Sequence, residues 1–141
     1  MQAELLREVG LEGDGTYEFE HHLVQEVAYS HLLMRDRERL HLQVARALRA
    51  TLGRRTRRHY AVLAYHYERA RAWEQTLRFA VLAALEAQSN YAHADTLSFA
   101  DKAIHAARQL PRNAFSLAWE IPAHWAKAHV FRLRGEAGAA S

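Results

Sequence analysis

The chain has 141 residues, of which 50% are hydrophobic, with six glycines, two prolines, no cysteine and a formal net charge of +3. This length suits one domain, or one and a part, and the scarcity of glycine and proline is typical of a helical globular protein. The lack of cysteine excludes disulfides, thiolate catalysis and cysteine-type zinc sites. No apolar run approaches the roughly 20 residues that span a bilayer, and no secretory signal is visible, so we expect a cytoplasmic protein without a membrane partner.

The modest net charge hides an uneven distribution along the chain. Residues 1–26 carry seven carboxylates against one arginine, a net of −6, whereas residues 34–58 carry nine arginines against two carboxylates, a net of +7. Such asymmetry can indicate an anionic partner. It also fits two segments that attract each other within one assembly, which is the interpretation that we favour.

The first elements of the chain combine helix and strand. Apolar spacing predicts a short helix that ends at Gly10, followed by turn residues and a short alternating strand at 17–20. Since one strand cannot form a sheet, we expect residues 10–13 to pair with it in a small hairpin. From Leu23 the spacing becomes helical and predicts a helix from about 21 to 33.

The rest of the chain shows helical periodicity. Apolar residues at every fourth position, after a cap at Asp36, predict a helix that ends at Gly53, and a polar connector follows. Four further helices are predicted at about 60–72, 74–89, 92–110 and 115–134. The helix at 74–89 is apolar on two sides, which places it between other helices. Pro122 either kinks the last helix or starts it, and we expect a frayed tail from Gly135.

Helices of similar length joined by short connectors predict stacked antiparallel hairpins, which means an all-α solenoid or bundle. The segment Leu63-Ala64-x-x-Tyr67, followed by a helix rich in small residues, resembles a tetratricopeptide unit. In such a unit small residues let two helices approach, and aromatic residues fill the gap. Thr76 stands where the unit has alanine, and no proline closes it.

A more specific pattern runs from Phe19 to Glu74. It consists of Phe19-x-His21-x-Leu23-x-Gln25-Glu26-x-x-Tyr29, then Arg37-x-x-Leu40-His41-x-x-Val44-Ala45-x-Ala47-Leu48, then Leu63-Ala64-x-His66-Tyr67-x-x-Ala70 and Trp73-Glu74. This series resembles the junction between the winged-helix domain and the tetratricopeptide-like region of STAND-class signalling ATPases, which include bacterial regulators linked to adenylate cyclase domains and LuxR-type activators. The resemblance covers about residues 5–110.

The resemblance implies an all-α fold, an antiparallel helix-hairpin array. A right-handed tetratricopeptide-like superhelix would occupy residues 34–141, and a winged-helix remnant with its short hairpin residues 1–33. The implied function is non-catalytic protein–protein interaction and signal relay within a larger nucleotide-dependent bacterial regulator. The partner would be another protein or the regulator's own ATPase domain.

The resemblance also gives His21 a possible role. It stands where the family has a sensor histidine that reaches the ADP phosphates in the resting state. The chain has no G-x-x-x-x-G-K-[ST] loop, so we expect no cofactor here and a nucleotide role for His21 only in a longer parent protein.

The ten histidines raise the question of a metal or catalytic site. Adjacent His21 and His22 point to different faces of a strand or helix, and no HExxH motif is present, so we predict no metal site. Nothing places a nucleophile or an apolar pocket beside the N-terminal carboxylates. We therefore predict no catalytic residue and no enzymatic activity.

Clustered arginines suggest the alternative function, a nucleic-acid-binding accessory domain that uses the segment 34–58, since arginines neutralise phosphates. The candidate residues are Arg54, Arg55, Arg57 and Arg58. The cluster has no recognition helix and no aromatic platform for bases. We favour a solvated connector over a nucleic-acid contact.

The last predicted helix carries large apolar residues on more than one side. Because a further repeat would normally cover the end of an array, we expect an apolar partner-binding face there, with self-association through this helix as one outcome. The candidate residues are Leu117, Trp119, Ile121, Trp125 and Val130.

Overall fold

The computed structural model describes residues 21–27, 30 and 33–139 of the chain. They belong to two compact units, Met1–Arg37 and Glu38–Ser141. In the first unit residues 21–27 are helical, and the Ser30 hydroxyl donates to the carbonyl of Val27 at 2.8 Å. The predicted strand at 17–20 and its hairpin lie outside the described residues.

The remaining described residues form five α-helices and one 3-10 segment. These are α1 (Met34–Leu52), the 3-10 segment Gly53–His59, α2 (Tyr60–Arg69), α3 (Trp73–Ser89), α4 (His93–Arg108) and α5 (Ala114–Ala139). No described residue is in a β-strand, so this part of the chain is all-α, as predicted. No helix among the described residues is both long and apolar enough to cross a membrane.

Some helix boundaries differ from the sequence prediction. Asp36 lies in the first turn of α1 rather than at its cap, since its backbone N–H already donates to the carbonyl of Leu33 at 2.9 Å. A carboxylate there still interacts favourably with the helix dipole. The connector that follows Leu52 is a 3-10 helix, and α5 continues through Gly135 to Ala139, where the sequence predicts fraying.

The start of α5 decides the role of Pro122. The side-chain carbonyl of Asn113 accepts from the backbone N–H of Ser116 at 2.9 Å, and the Ser116 hydroxyl accepts from the N–H of Asn113 at 3.1 Å. This reciprocal pair resembles a capping box and satisfies backbone donors at the helix start. Pro122 is therefore an interior residue of α5 and does not begin the helix.

A Schellman motif ends α2. The backbone N–H of Arg71 donates to the carbonyl of Glu68 at 3.0 Å, and that of Ala72 donates to the carbonyl of Tyr67 at 2.9 Å. Arg71 occupies the left-handed position of the motif, with φ of +53°, a conformation that usually belongs to glycine. Only residues 70–72 separate α2 from α3, so the chain reverses within one tight turn.

The turn between α3 and α4 repeats this geometry. The N–H of Tyr91 donates to the carbonyl of Gln88 at 3.0 Å, that of Ala92 donates to the carbonyl of Ala87 at 2.9 Å, and Tyr91 has φ of +57°. The two turns also share their sequence, as Ala72-x-x-x-Thr76-Leu77-x-Phe79-Ala80 and Ala92-x-x-x-Thr96-Leu97-x-Phe99-Ala100. The same turn geometry thus connects α2 to α3 and α3 to α4.

The two turns also share a buried threonine. Thr76 and Thr96 are both fully buried, and their hydroxyls donate to the carbonyls of Ala72 and Ala92, each at 2.9 Å. A buried hydroxyl destabilises the fold unless it is hydrogen-bonded. Each threonine meets this need within its own turn and requires no partner from another helix.

Small side chains make up much of the core. Helix α3 packs against α2, α4 and α5, as its two apolar sides predict. Leu63, Ala64 and Tyr67 of α2 are buried, and α2 packs against α3. The other fully buried alanines of the core are Ala45, Ala80, Ala84, Ala100, Ala103, Ala106, Ala107 and Ala123.

Candidate interaction surfaces

Helix α5 has one side in the core and another in solvent. Ala123 and Ala126 are fully buried on the inner side. Leu117, Ile121 and Trp125 expose 39%, 64% and 58% of their surface. Residues four positions apart share a helix face. We call these three residues the α5 stripe, and it is the most continuous line of exposed large apolar side chains in the described part of α5.

Two of the predicted partner-binding residues lie elsewhere. Val130 is fully buried, so it belongs to the core and cannot contribute to an exposed face. Trp119 is half-buried against the core cluster, and the guanidinium of Arg78 from α3 lies 5.8 Å from its ring and 5.1 Å from that of Phe115. A cation over an aromatic face is attracted to it. Trp119 thus fills the gap between α3 and α5.

Trp125 is held in place although it is exposed. Its ring stacks on that of His129, with the centroids 5.5 Å apart and the planes 13° from parallel. The guanidinium of Arg132 donates to Nδ1 of His129 at 3.0 Å, which fixes the imidazole in turn. A large aromatic side chain with few remaining rotamers is the residue type that anchors protein interfaces, because little entropy is lost when it is covered.

The basic connector lies in the 3-10 segment. Arg54, Arg55 and Arg58 are exposed, and the side chain of Arg57 is outside the described part of the structure. None of the ion pairs between described residues involves these three arginines. Their exposure agrees with a solvated connector.

An imidazole pair that sequence reasoning missed joins α1 to α2. Nδ1 of His41 lies 2.9 Å from Nδ1 of His66, so one nitrogen donates and the other accepts. Burial lowers the pKa of both imidazoles, and the charges of His66 and Arg69 lower that of His41 further. Both histidines stand in the motifs quoted above, but their separation of 25 positions gives no local signal of a pairing.

His21 and His22 are both exposed and helical. The strand that would place His21 at a strand–helix joint lies outside the described residues. Its location at a helix start and its sensor role therefore stay predictions. Within the described ranges, no three histidine, aspartate or glutamate side chains come together as a possible metal site.

The surfaces that stand out are thus an apolar stripe with an anchored tryptophan and an exposed basic connector. No family model, curated protein or solved structure matches the chain. A functional proposal therefore depends on these surfaces and on the sequence resemblance.

Proposed function

We propose that the chain is a non-catalytic protein–protein interaction and signal-relay region of a larger nucleotide-dependent bacterial regulator of the cytoplasm. The observation that carries this proposal is the α5 stripe, in which Leu117, Ile121 and Trp125 are aligned and exposed on a helix whose other side is in the core. Single exposed apolar residues are common on soluble proteins, whereas aligned ones mark a surface that another element covers.

The helical architecture supports the finer proposal of a tetratricopeptide-like right-handed array over residues 34–141. In such arrays each helix pair packs only on its neighbours, and small residues allow close approach. The repeated turns after α2 and α3 and the alanine-rich core fit this arrangement. The proposal includes a winged-helix remnant at 1–33 and, in a longer parent, nucleotide sensing by His21.

The genomic context and an activity assay test the class of protein. A P-loop ATPase encoded immediately upstream in the same reading frame supports a nucleotide-dependent regulator, and an unrelated neighbour contradicts it. Incubation of the chain with ATP and Mg²⁺ should release no phosphate above the buffer rate. Turnover that stays with the protein through repurification would refute a non-catalytic role.

The α5 stripe is tested by charge insertion. The variant Ile121→Glu/Trp125→Glu should abolish concentration-dependent self-association in light scattering, because two carboxylates on the stripe would have to lose their water of hydration in an interface. Val62→Glu is the control, since Val62 is 43% exposed and lies on α2 rather than on α5. Equal effects of the two variants, or a chain that is monomeric at millimolar concentration, would contradict self-association through the stripe.

Exposed arginines favour a second candidate function, nucleic-acid binding by the segment 34–58. Arg54, Arg55 and Arg58 are available to phosphates because no described carboxylate pairs with them. This candidate ranks second because no exposed aromatic platform for bases accompanies the arginines in the 3-10 segment Gly53–His59.

A further inference from the structure

A pocket of about 530 Å³ opens between α1, α2 and α3. This volume lies within the range of about 300–1,000 Å³ that is usual for ligand sites. Its polar lining comes from Arg46, Arg49, Tyr67 and Gln75, and its apolar lining includes Leu42 and Ala50. It shares no residue with the α5 stripe.

Two guanidinium groups give the pocket its charge. Arg46 and Arg49 are one turn apart on α1, both are exposed, and neither forms an ion pair with a described carboxylate. Arginine remains protonated at every physiological pH and presents its donors in a planar fork that matches a carboxylate. The pocket therefore presents two unneutralised cations to whatever enters it.

Aromatic rings in the core orient one of these cations. The guanidinium carbon of Arg49 lies 5.7 Å from the centre of the Phe79 ring, and Phe79 stacks on Tyr67 at 5.5 Å with the planes 7° from parallel. Both rings are buried, at 7% and 3% exposure, so they are fixed by the core. The Arg49 guanidinium is thus held by fixed aromatic rings, which reduces the entropy that its side chain loses when it binds an anion.

We infer that this pocket binds an acidic peptide. Carboxylates of the peptide pair with Arg46 and Arg49, the Gln75 amide offers a further donor or acceptor, and an adjoining apolar side chain packs on Leu42 and Ala50. The choice of a peptide as the source of the carboxylates rests on the proposed interaction function. A nucleic acid fits less well, because the aromatic rings here are buried and offer no open face on which a base could stack.

A peptide titration tests the inference on the whole chain. The probe is a fluorescein-labelled peptide of alternating glutamate and leucine, and its matched control is the same peptide with glutamine for glutamate. At about 150 mM salt, where distant charges are screened, fluorescence anisotropy should show that the acidic peptide binds and the glutamine peptide does not. A single-stranded oligonucleotide with the same label should bind more weakly than the acidic peptide.

Matched variants locate the binding. Arg46→Gln/Arg49→Gln should lower the affinity for the acidic peptide about tenfold, which corresponds to the loss of two partly exposed ion pairs. Arg54→Gln/Arg55→Gln removes the same charge outside the pocket and should change the affinity less than about twofold. All four side chains are exposed, so both variants should keep the helix content of the parent in circular dichroism.

Several results would overturn the inference. These are no binding of the acidic peptide at about 1 mM chain, equal binding of the glutamine peptide, tighter binding of the oligonucleotide, or equal losses in the two arginine variants. The stripe variant Ile121→Glu/Trp125→Glu should leave the peptide affinity unchanged. Failure of peptide binding with intact self-association thus refutes the pocket alone, and the reverse pattern refutes the stripe alone.

Discussion

Replacement of Tyr91 by glycine should stabilise the protein, because Tyr91 holds a left-handed conformation with φ of +57° in the turn between α3 and α4. That conformation costs a residue with a Cβ about 1–2 kcal/mol. The side chain is 82% exposed, so its removal sacrifices little packing. Glycine also raises the conformational entropy of the unfolded chain, which destabilises the folded protein by about 0.4–1 kcal/mol. The difference leaves a net gain of about 0.5–1 kcal/mol in the free energy of unfolding.

Thermal and urea denaturation followed by far-UV circular dichroism would measure this gain. A domain of this size should show a rise in Tm of about 2–6 °C. Tyr91→Ala is the matched control, because it removes the same ring but keeps the Cβ, and it should not stabilise the protein. A gain for alanine equal to that for glycine would show that φ is not the cause. A lower Tm for the glycine variant would refute the reasoning altogether.

Further predictions concern the imidazole pair, the core and the basic connector. The pKa values of His41 and His66 are lowered in the folded state, so below the ordinary pKa of about 6.5 the unfolded chain binds more protons than the folded chain. The free energy of unfolding should therefore be highest above that pH and should fall as the pH drops below it. Urea midpoints at pH 7.5 and 5.5 should differ less in His41→Gln/His66→Gln than in the parent, and an unchanged difference would contradict the assignment. Ala64→Leu should overpack a fully buried site and cost about 1–3 kcal/mol, whereas Ala61→Leu on the exposed side of the same helix should be nearly neutral; equal Tm values for both would show that the helix pairing is misassigned. Any nucleic-acid binding by Arg54, Arg55 and Arg58 should weaken steeply with salt and ignore sequence, and tight sequence-selective binding in a titration at physiological salt would favour the second candidate function.

Periodicity in the sequence predicted most of the helical structure. Helix α1 ends at Leu52, next to the predicted stop at Gly53, and α4 ends at Arg108, before Pro111 and two residues short of the predicted 110. These elements are predictable because the signals are local: proline restricts the residue before it, and apolar residues at every third or fourth position define a buried face. The burial of Leu63 and Ala64 follows from the same rule.

Other features have no clear signal at single positions of the sequence. The left-handed residues Arg71 and Tyr91 carry no glycine signal, because hydrogen bonds from the whole turn hold them in that conformation. The recurrence of Ala-x-x-x-Thr-Leu-x-Phe-Ala at 72–80 and 92–100 was a sign in the sequence of the shared turn. In α5, apolar residues on more than one side conceal which side is buried, so Val130 and Ile121 were not distinguishable.

The brevity of the two turns also bears on how the protein folds. Because residues 70–72 and 90–92 are all that separate α2, α3 and α4, these helices find their packing partners close by along the sequence. A low contact order of this kind leads to folding on the microsecond to millisecond scale. Helix α3, which is packed on three other helices, should keep its amide protons longest in deuterium exchange. The order in which the helices open would then run from the edges of the unit inward to α3.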